Sequence, residues 1–256
     1  FDKTPCNKCS SCFKFKSLQH PNIKIIVPLP SSAKSKKGSG PLDGLKQEEL
    51  ELLTSSIINK GKDPFYKINI PNARRITISS IRDLRRNVYL KSQTSGRKVI
   101  LIFDAHLLSE GAGESANALL KILEEPPKNT TLILVTDKRS MLLPTILSRC
   151  QIINFPRLSP QTVLNILENN GVENKNAIEI ASLSDGNINL ALELSKQSTL
   201  QQTFSELEEL IKLITTLNQN GWRKFIENFS MMANRKPEEF KFKIYMLQLW
   251  FNFAYS

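Results

Sequence analysis

Long apolar runs are absent from this 256-residue sequence, and histidine and cysteine are scarce. No stretch approaches the roughly 20 consecutive apolar residues that a membrane-spanning helix needs, so we expect no membrane anchor. Residues 1–5, FDKTP, lack the apolar stretch of a signal peptide. The four cysteines, three of them clustered, do not form the pattern of a disulfide framework. These absences predict a protein of a reducing compartment, the cytoplasm.

A phosphate-binding loop of the form GxxxxGK[ST] is also absent. This absence excludes little, because we expect the sequence to be a piece of a longer chain. It starts without methionine, and it ends inside an apolar helical pattern at residues 246–251, where a chain does not normally end. In a longer chain the phosphate loop would lie before Phe1.

Positive charge is concentrated in the first hundred residues. Residues 1–100 carry 20 Lys and Arg against 7 Asp and Glu, a balance of +13. Residues 101–256 carry 15 against 17, a balance of −2. A basic half can bind nucleic acid by releasing counterions from phosphates. A basic surface that only keeps the protein soluble is an equally weighted alternative.

Apolar runs alternate with helical patterns up to residue 157, whereas only helical patterns remain from Ser159 onward. Such alternation predicts an α/β fold with a parallel sheet flanked by helices, followed by an all-helical part. The predicted strands are 23–27, 98–103, 130–136 and 151–155, and the predicted helices before Ser159 are 48–58, 76–90, 114–125 and 144–150.

Residues 28–46 are rich in proline, serine, lysine and glycine. This composition cannot bury a core, and it predicts a flexible linker or a surface insertion. We expect residues 31–46 to be poorly ordered and sensitive to proteases. Their contacts would not offset the roughly 1–2 kcal/mol per residue that ordering a backbone costs.

Asp104 directly follows the predicted strand at 98–103. An aspartate at the carboxyl end of a central parallel strand can hold the magnesium ion of a nucleotide. Many buried strands also end in an aspartate that only starts a turn, and this alternative is favoured when the strand is taken alone. Asp104 is therefore a weak candidate for cofactor binding.

Cys6, Cys9 and Cys12 have the spacing CxxCxxC, which is typical of a structural zinc site. Structural zinc takes four tetrahedral ligands, and only three thiols are present here. His20 is a possible fourth ligand, because neutral imidazole also binds zinc. The alternative is three free surface thiols without a metal.

Two further motifs follow Asp104. Residues 117–127 read NALLKILEEPP, and residues 148–150, after the next predicted strand, read SRC. This stretch closely resembles the clamp-loader branch of the AAA+ proteins, whose members carry both motifs. The resemblance therefore predicts that the α/β part has the AAA+ fold.

The resemblance differs in strength along the chain. It is strong over residues 98–157 and fair over 1–27 and 158–195. Beyond residue 195 it is limited to the general helical architecture. Residues 28–66 depart from the compact connection that the family has at this place. This segment is therefore predicted to be an insertion.

The resemblance implies three structural parts. Residues 1–157 would form the AAA+ α/β domain, which lacks its N-terminal part and carries a zinc knuckle at 6–20. Residues 158–198 would form a helical lid, and residues 199–256 part of a helical collar domain that assembles subunits into a ring.

The resemblance also implies partners and cofactors. The partners are the gamma/tau and delta subunits of the clamp loader of DNA polymerase III, and through the complex the sliding clamp and primed DNA. Neighbouring subunits bind ATP. Clamp-loader subunits with this knuckle have an extra upstream cysteine, and this fourth zinc ligand would lie before Phe1.

Arg149, in the SRC motif, is implied to act in trans on the ATP of the adjacent subunit. A guanidinium can stabilise the charge that develops on a transferring phosphoryl group. The alternative is a cation that only faces the negative end of a helix dipole. An arginine with the trans role should lie on the surface, after the helix that begins near Pro144, without a close acidic partner in its own chain.

Two positions favour a subunit that does not hydrolyse ATP itself. Ala105 stands where active members carry a glutamate after the strand aspartate, and a methyl group accepts no proton. Asn189 stands where motor subunits carry a sensor arginine. The first alternative is the ATP-hydrolysing gamma/tau motor of the same complex. The second is a stand-alone basic DNA-binding module, which would leave the SRC motif unexplained.

Overall fold

The computed structural model describes residues 4–30, 40–90, 94, 96–196 and 219–254, together with 205, 206, 208, 209, 211, 212 and 216. The chain divides into two compact units, Phe1–Asn154 and Phe155–Ser256. The further division of the second unit into a lid and a partial collar remains a prediction. No helix in the described ranges is long and apolar enough to cross a membrane.

Each unit contains a distinct set of elements. The first unit has the strands β1 (Ile23–Ile26), β2 (Lys98–Ile102) and β3 (Thr130–Leu134) and the helices α1 (Ser10–Lys16), α2 (Gln47–Lys62), α3 (Ile78–Val88), α4 (Glu114–Glu124) and α5 (Pro144–Leu147). The second unit has the helices α6 (Pro160–Asn169), α7 (Asn174–Leu183), α8 (Ile188–Ser195), α9 (Gln219–Arg235) and α10 (Pro237–Ala254).

The three strands form a parallel sheet in the order β1-β2-β3. Ile26 is paired in register with Ile102, and Ile102 with Leu134. Parallel neighbours need long crossover connections, and helices α2 and α3 lie between β1 and β2, with α4 between β2 and β3. The predicted α/β fold class is confirmed.

The strand predicted at 151–155 is wrong. These residues are in no strand, and Ile153 and Phe155 are 70% and 90% exposed. A β-branched run becomes a strand only where a neighbouring strand offers its backbone groups and covers the side chains. Neither β1, β2 nor β3 pairs with this segment in the structure.

The main core of the first unit lies between the sheet and helices α3, α4 and α5. Helix α3 begins at Thr77, whose hydroxyl accepts a hydrogen bond from the Ser80 N–H at 3.3 Å. Its apolar side buries Ile81 and Leu84, while the arginines stay outside as the helical spacing predicts. The exposed arginines are Arg82, Arg85 and Arg86.

A second cluster in this unit corrects part of the prediction for residues 28–46. Leu29 is buried with Val27 and Leu53, and Leu45 packs against them. The Gly40 N–H donates to the Asp43 carboxylate at 2.6 Å, which closes a turn. The expectation that 28–46 buries no core is therefore wrong at both ends of the segment, because two leucines are enough to join a small cluster. Residues 31–39 lie outside the described residues.

The second unit is helical, as predicted. Helix α6 begins at Ser159, whose hydroxyl accepts from the Thr162 N–H at 3.2 Å, with Pro160 in its first turn. Helices α6, α7 and α8 share one core, and the same core contains Met246 of α10. Helix α10 is thus joined to the three-helix group by apolar packing.

Candidate functional site

Arg149 lies two residues beyond the end of α5, on the surface of the first unit. Helix α5 starts with Pro144, and its Ile146 side chain is completely buried in the main core. The Arg149 N–H donates to the Ile146 carbonyl oxygen at 3.1 Å, so the backbone is fixed close to this anchor. The turn that carries Arg149 is therefore tied to the core, while its side chain lies at the surface.

The guanidinium of Arg149 is held at two points by its own chain. Nη2 donates to Glu124 Oε1 at 2.8 Å, and Nη1 donates to the Thr145 carbonyl oxygen at 2.9 Å. The expectation that Arg149 has no close acidic partner is wrong. The two side chains stay 34% and 49% exposed, which classifies the pair as a surface ion pair and not a buried one.

The Arg149–Glu124 pair also shows where the two sequence motifs meet. Glu124 belongs to NALLKILEEPP and ends α4, and Arg149 belongs to SRC. Cys150, the last residue of SRC, packs against the main core, and burial raises the pKa of its thiol. The thiol therefore acts as a small apolar side chain.

Asp104 lies two residues beyond the end of the central strand β2, in a left-handed backbone conformation with φ of 49°. Its carboxylate lies in a group with His106 and Asp137, whose possible ligand atoms are within 4.8 Å of one another. The group lines a cavity of about 250 Å³, together with Lys67 and Lys138. The residues that line the cavity thus include two aspartates and two lysines, so the charge of its lining is mixed.

Sequence reasoning missed the neighbours of Asp104. His106 is buried, and its Nδ1 lies 3.0 Å from the Thr136 hydroxyl and 3.8 Å from the Asp137 carboxylate. Asp104 and Asp137 follow the carboxyl ends of two adjacent parallel strands, which was the available signal. Ala105, directly after Asp104, is completely buried.

The three clustered cysteines come together at the start of α1. Their sulfur atoms lie within 4.8 Å of one another, and Cys6 and Cys12 are 3.7 Å apart. Cys9 caps α1, and its thiol accepts from the Cys12 N–H at 3.5 Å. The backbone N–H groups of Lys8 and Cys9, followed by the thiols of Cys9 and Cys12, lower the pKa of Cys6 from 9.0 to about 7. The three sulfur atoms are close enough to share one thiophilic metal, which binds the thiolate form of cysteine.

His20 does not fit as the fourth ligand of this cluster. Its Nδ1 accepts a hydrogen bond from the Asn22 N–H at 3.1 Å, so a neutral ring carries its proton on Nε2. Nε2 lies 3.0 Å from the Ser11 hydroxyl and donates to it. Both ring nitrogens are engaged, and no fourth ligand joins the three sulfur atoms among the described residues.

The arginine site, the Asp104 group and the cysteine cluster are separate in their contacts. In the described part of the chain, no hydrogen bond or ion pair links Arg149 to Asp104 or to a cysteine. Each group therefore has to be considered by itself.

Comparison with known proteins identifies the family of this chain. Residues 1–159 match the family described as DNA polymerase III, delta subunit. The chain is 35% identical over 143 residues to DNA polymerase III subunit delta' of Haemophilus influenzae, covering 56% of this chain and 41% of that protein. It is 26% identical over 223 residues to the delta' subunit of Bacillus subtilis, covering 86% and 52%.

Similarity extends to another subunit type. The chain is 36% identical over 137 residues to DNA polymerase III subunit tau of Bacillus subtilis, covering 51% of this chain and 24% of that protein. The chain spans about half, or less, of the length of these curated relatives. The family match nevertheless covers more than half of the chain. This protein therefore belongs to the DNA polymerase III delta-subunit family and is similar to its delta' members.

Proposed function

We propose that this chain is a non-motor subunit of the DNA sliding-clamp loader, which supports the ring and supplies Arg149 to the ATP site of a neighbouring subunit. The observation that carries the proposal is an exposed guanidinium on a backbone turn anchored by the buried Ile146. ATP turnover by the clamp loader reassembled with an Arg149→Ala chain tests it directly.

The chemistry of Arg149 supports a role toward phosphate. A guanidinium has five N–H donors in a planar arrangement that matches phosphate oxygens, and it stays charged at any physiological pH. Its present contacts use one N–H of Nη1 and one of Nη2. The remaining donors would be available to a phosphate that a neighbouring subunit presents.

Two positions support the non-motor role. The methyl group of Ala105 cannot accept a proton, and it is buried directly behind Asp104. Asn189, in the first turn of α8, is exposed and uncharged, so it cannot neutralise a phosphate. The similarity to tau favours the alternative, an ATP-hydrolysing motor of the gamma/tau type.

We expect the isolated full-length protein to release no phosphate from ATP above the uncatalysed background, because it lacks a group to orient the attacking water. The measurement is phosphate release at saturating ATP and magnesium. Turnover that disappears in the Asp104→Asn variant would contradict the proposal and establish the motor alternative.

The proposed partners follow from the complex. They are the gamma/tau and delta subunits, with the sliding clamp and primed DNA reached through the assembled ring in the cytoplasm. The exposed arginines of α3, Arg82, Arg85 and Arg86, supply positive surface for DNA backbone. Salt-dependent DNA binding by the isolated chain would instead favour the stand-alone DNA-binding module.

We further propose that Cys6, Cys9 and Cys12 hold one structural zinc ion, with the fourth ligand outside the described cluster. Cys9→Ser in the full-length protein should reduce zinc from about one ion per chain to well below that, because thiolates supply most of the affinity. Elemental analysis after dialysis measures the stoichiometry. Cys150→Ser is the matched control and should retain zinc, and His20→Gln should retain it too. No stoichiometric zinc in the unsubstituted protein would contradict the proposal.

A further inference from the structure

The position of Glu124 in its ion pair with Arg149 is not explained by the stability of helix α4. Glu124 is the last residue of α4, where the helix dipole places partial negative charge. A carboxylate is unfavourable at this end of a helix, and it is followed by a second one, Glu125. The fold by itself would therefore be at least as stable without the Glu124 charge.

The carboxylate instead restricts a long side chain. A free arginine loses considerable rotamer entropy when it binds at one place, and this loss weakens any interaction it makes. Glu124 at 2.8 Å and the Thr145 carbonyl at 2.9 Å each accept a hydrogen bond from one of the two terminal nitrogens. Part of that entropy is thus already lost in the folded subunit.

The pair is also weak enough to coexist with a new ligand. Exposed ion pairs contribute little to stability, since water screens the two charges. At 34% and 49% exposure, both side chains can adjust when a polyanion approaches. A strongly negative phosphate group would recruit the unused N–H groups without displacing a buried contact.

We propose that Glu124 is a positioning residue for Arg149, which holds the guanidinium on its own subunit in the orientation that meets the nucleotide phosphates of the neighbour. This inference rests on the proposed function of Arg149. It goes beyond that function because it assigns the site to two residues, one from each motif.

The test is a double-mutant cycle in the clamp loader reassembled with full-length chains. The variants are Arg149→Ala, Glu124→Ala, and both together, with Glu125→Ala as the matched control for losing one exposed carboxylate from the same helix end. The measurements are kcat and KM for ATP and the midpoint of urea unfolding. Glu124→Gln, which keeps a hydrogen-bond acceptor, is a conservative variant.

Glu124→Ala is expected to lower kcat about two- to fivefold at the affected site, with KM unchanged, as the loss of one surface contact predicts. Glu124→Gln should lie between this variant and wild type, and Glu125→Ala should match wild type. Glu124→Ala should have no further effect in the Arg149→Ala background, because its action passes through that arginine. The unfolding midpoint should not decrease.

The two proposals fail in different ways. If Arg149→Ala lowers turnover but Glu124→Ala does not, or if the two effects multiply, the positioning role is wrong and the function of Arg149 stands. A decreased unfolding midpoint that accounts for the loss would also overturn the positioning role. If Arg149→Ala leaves turnover unchanged, the proposed function fails, and the positioning role fails with it.

Discussion

Replacing Arg149 with alanine is expected to lower the rate of ATP hydrolysis at one site of the reassembled clamp loader by a factor of about 10³–10⁵. This is the range that arginine fingers supply. The guanidinium would stabilise charge on the transferring phosphoryl group of the neighbour's ATP. A methyl group offers neither charge nor hydrogen bonds. The turnover of the whole complex should decrease less, because the other sites keep their own arginines.

The Arg149→Ala chain should still fold. The arginine is exposed, and its ion pair with Glu124 is worth about 1 kcal/mol or less. Clamp-stimulated phosphate release measures the effect. Arg97→Ala is a matched control, since Arg97 is also exposed and donates to a single side chain, the Thr131 hydroxyl, at 3.0 Å. Equal turnover by both variants would contradict the trans role of Arg149.

Replacing Gly186 with alanine is expected to destabilise the second unit by about 2–4 kcal/mol, from left-handed strain and a forced overlap together. Gly186 has φ of +75°, in the region that favours glycine. A Cβ at this position would lie 2.5 Å from the Leu158 carbonyl oxygen and 2.8 Å from the Arg157 Cβ. Backbone would have to move, because neither contact is the end of a flexible side chain.

Gly171→Ala separates the two contributions. Gly171 also has a positive φ, +82°, but a Cβ there would meet no atom within 4 Å. This variant should lose only the conformational part, about 1 kcal/mol. Urea unfolding of both variants measures the difference. If both variants lost the same free energy of unfolding, the close approach of Gly186 to Leu158 would contribute nothing to the destabilisation.

Elements with strong periodic patterns were predictable from local sequence. The strand at 98–102 and helices α3 and α4 lie within about two residues of their predicted bounds, because burial and spacing agree there. The segment 151–155 was also predicted as a strand, and it forms none. Its state depends on a neighbouring backbone, which a local pattern does not contain.

The candidate sites also have parts that the local sequence predicts and parts that only the tertiary structure shows. CxxCxxC spacing brings three thiols together over a few residues, so the cysteine cluster was predictable. Whether His20 is the fourth zinc ligand was left open by the sequence. The structure excludes it, because the two ring nitrogens form hydrogen bonds with the Ser11 hydroxyl and the Asn22 backbone N–H. The hydrogen-bond partners of the imidazole depend on the path of the backbone around it, which the spacing of the residues does not determine.

The sequence by itself determined the α/β class, the candidate arginine and the family resemblance, because each rests on residue types in short, ordered stretches. Only the tertiary structure decided that Arg149 has an acidic partner. Glu124 and Arg149 are separated along the chain by β3 and α5, and they meet because α4 and α5 pack on the same core. Packing between elements selects such a pair, since among the described residues Glu124 is the carboxylate that lies 2.8 Å from the guanidinium.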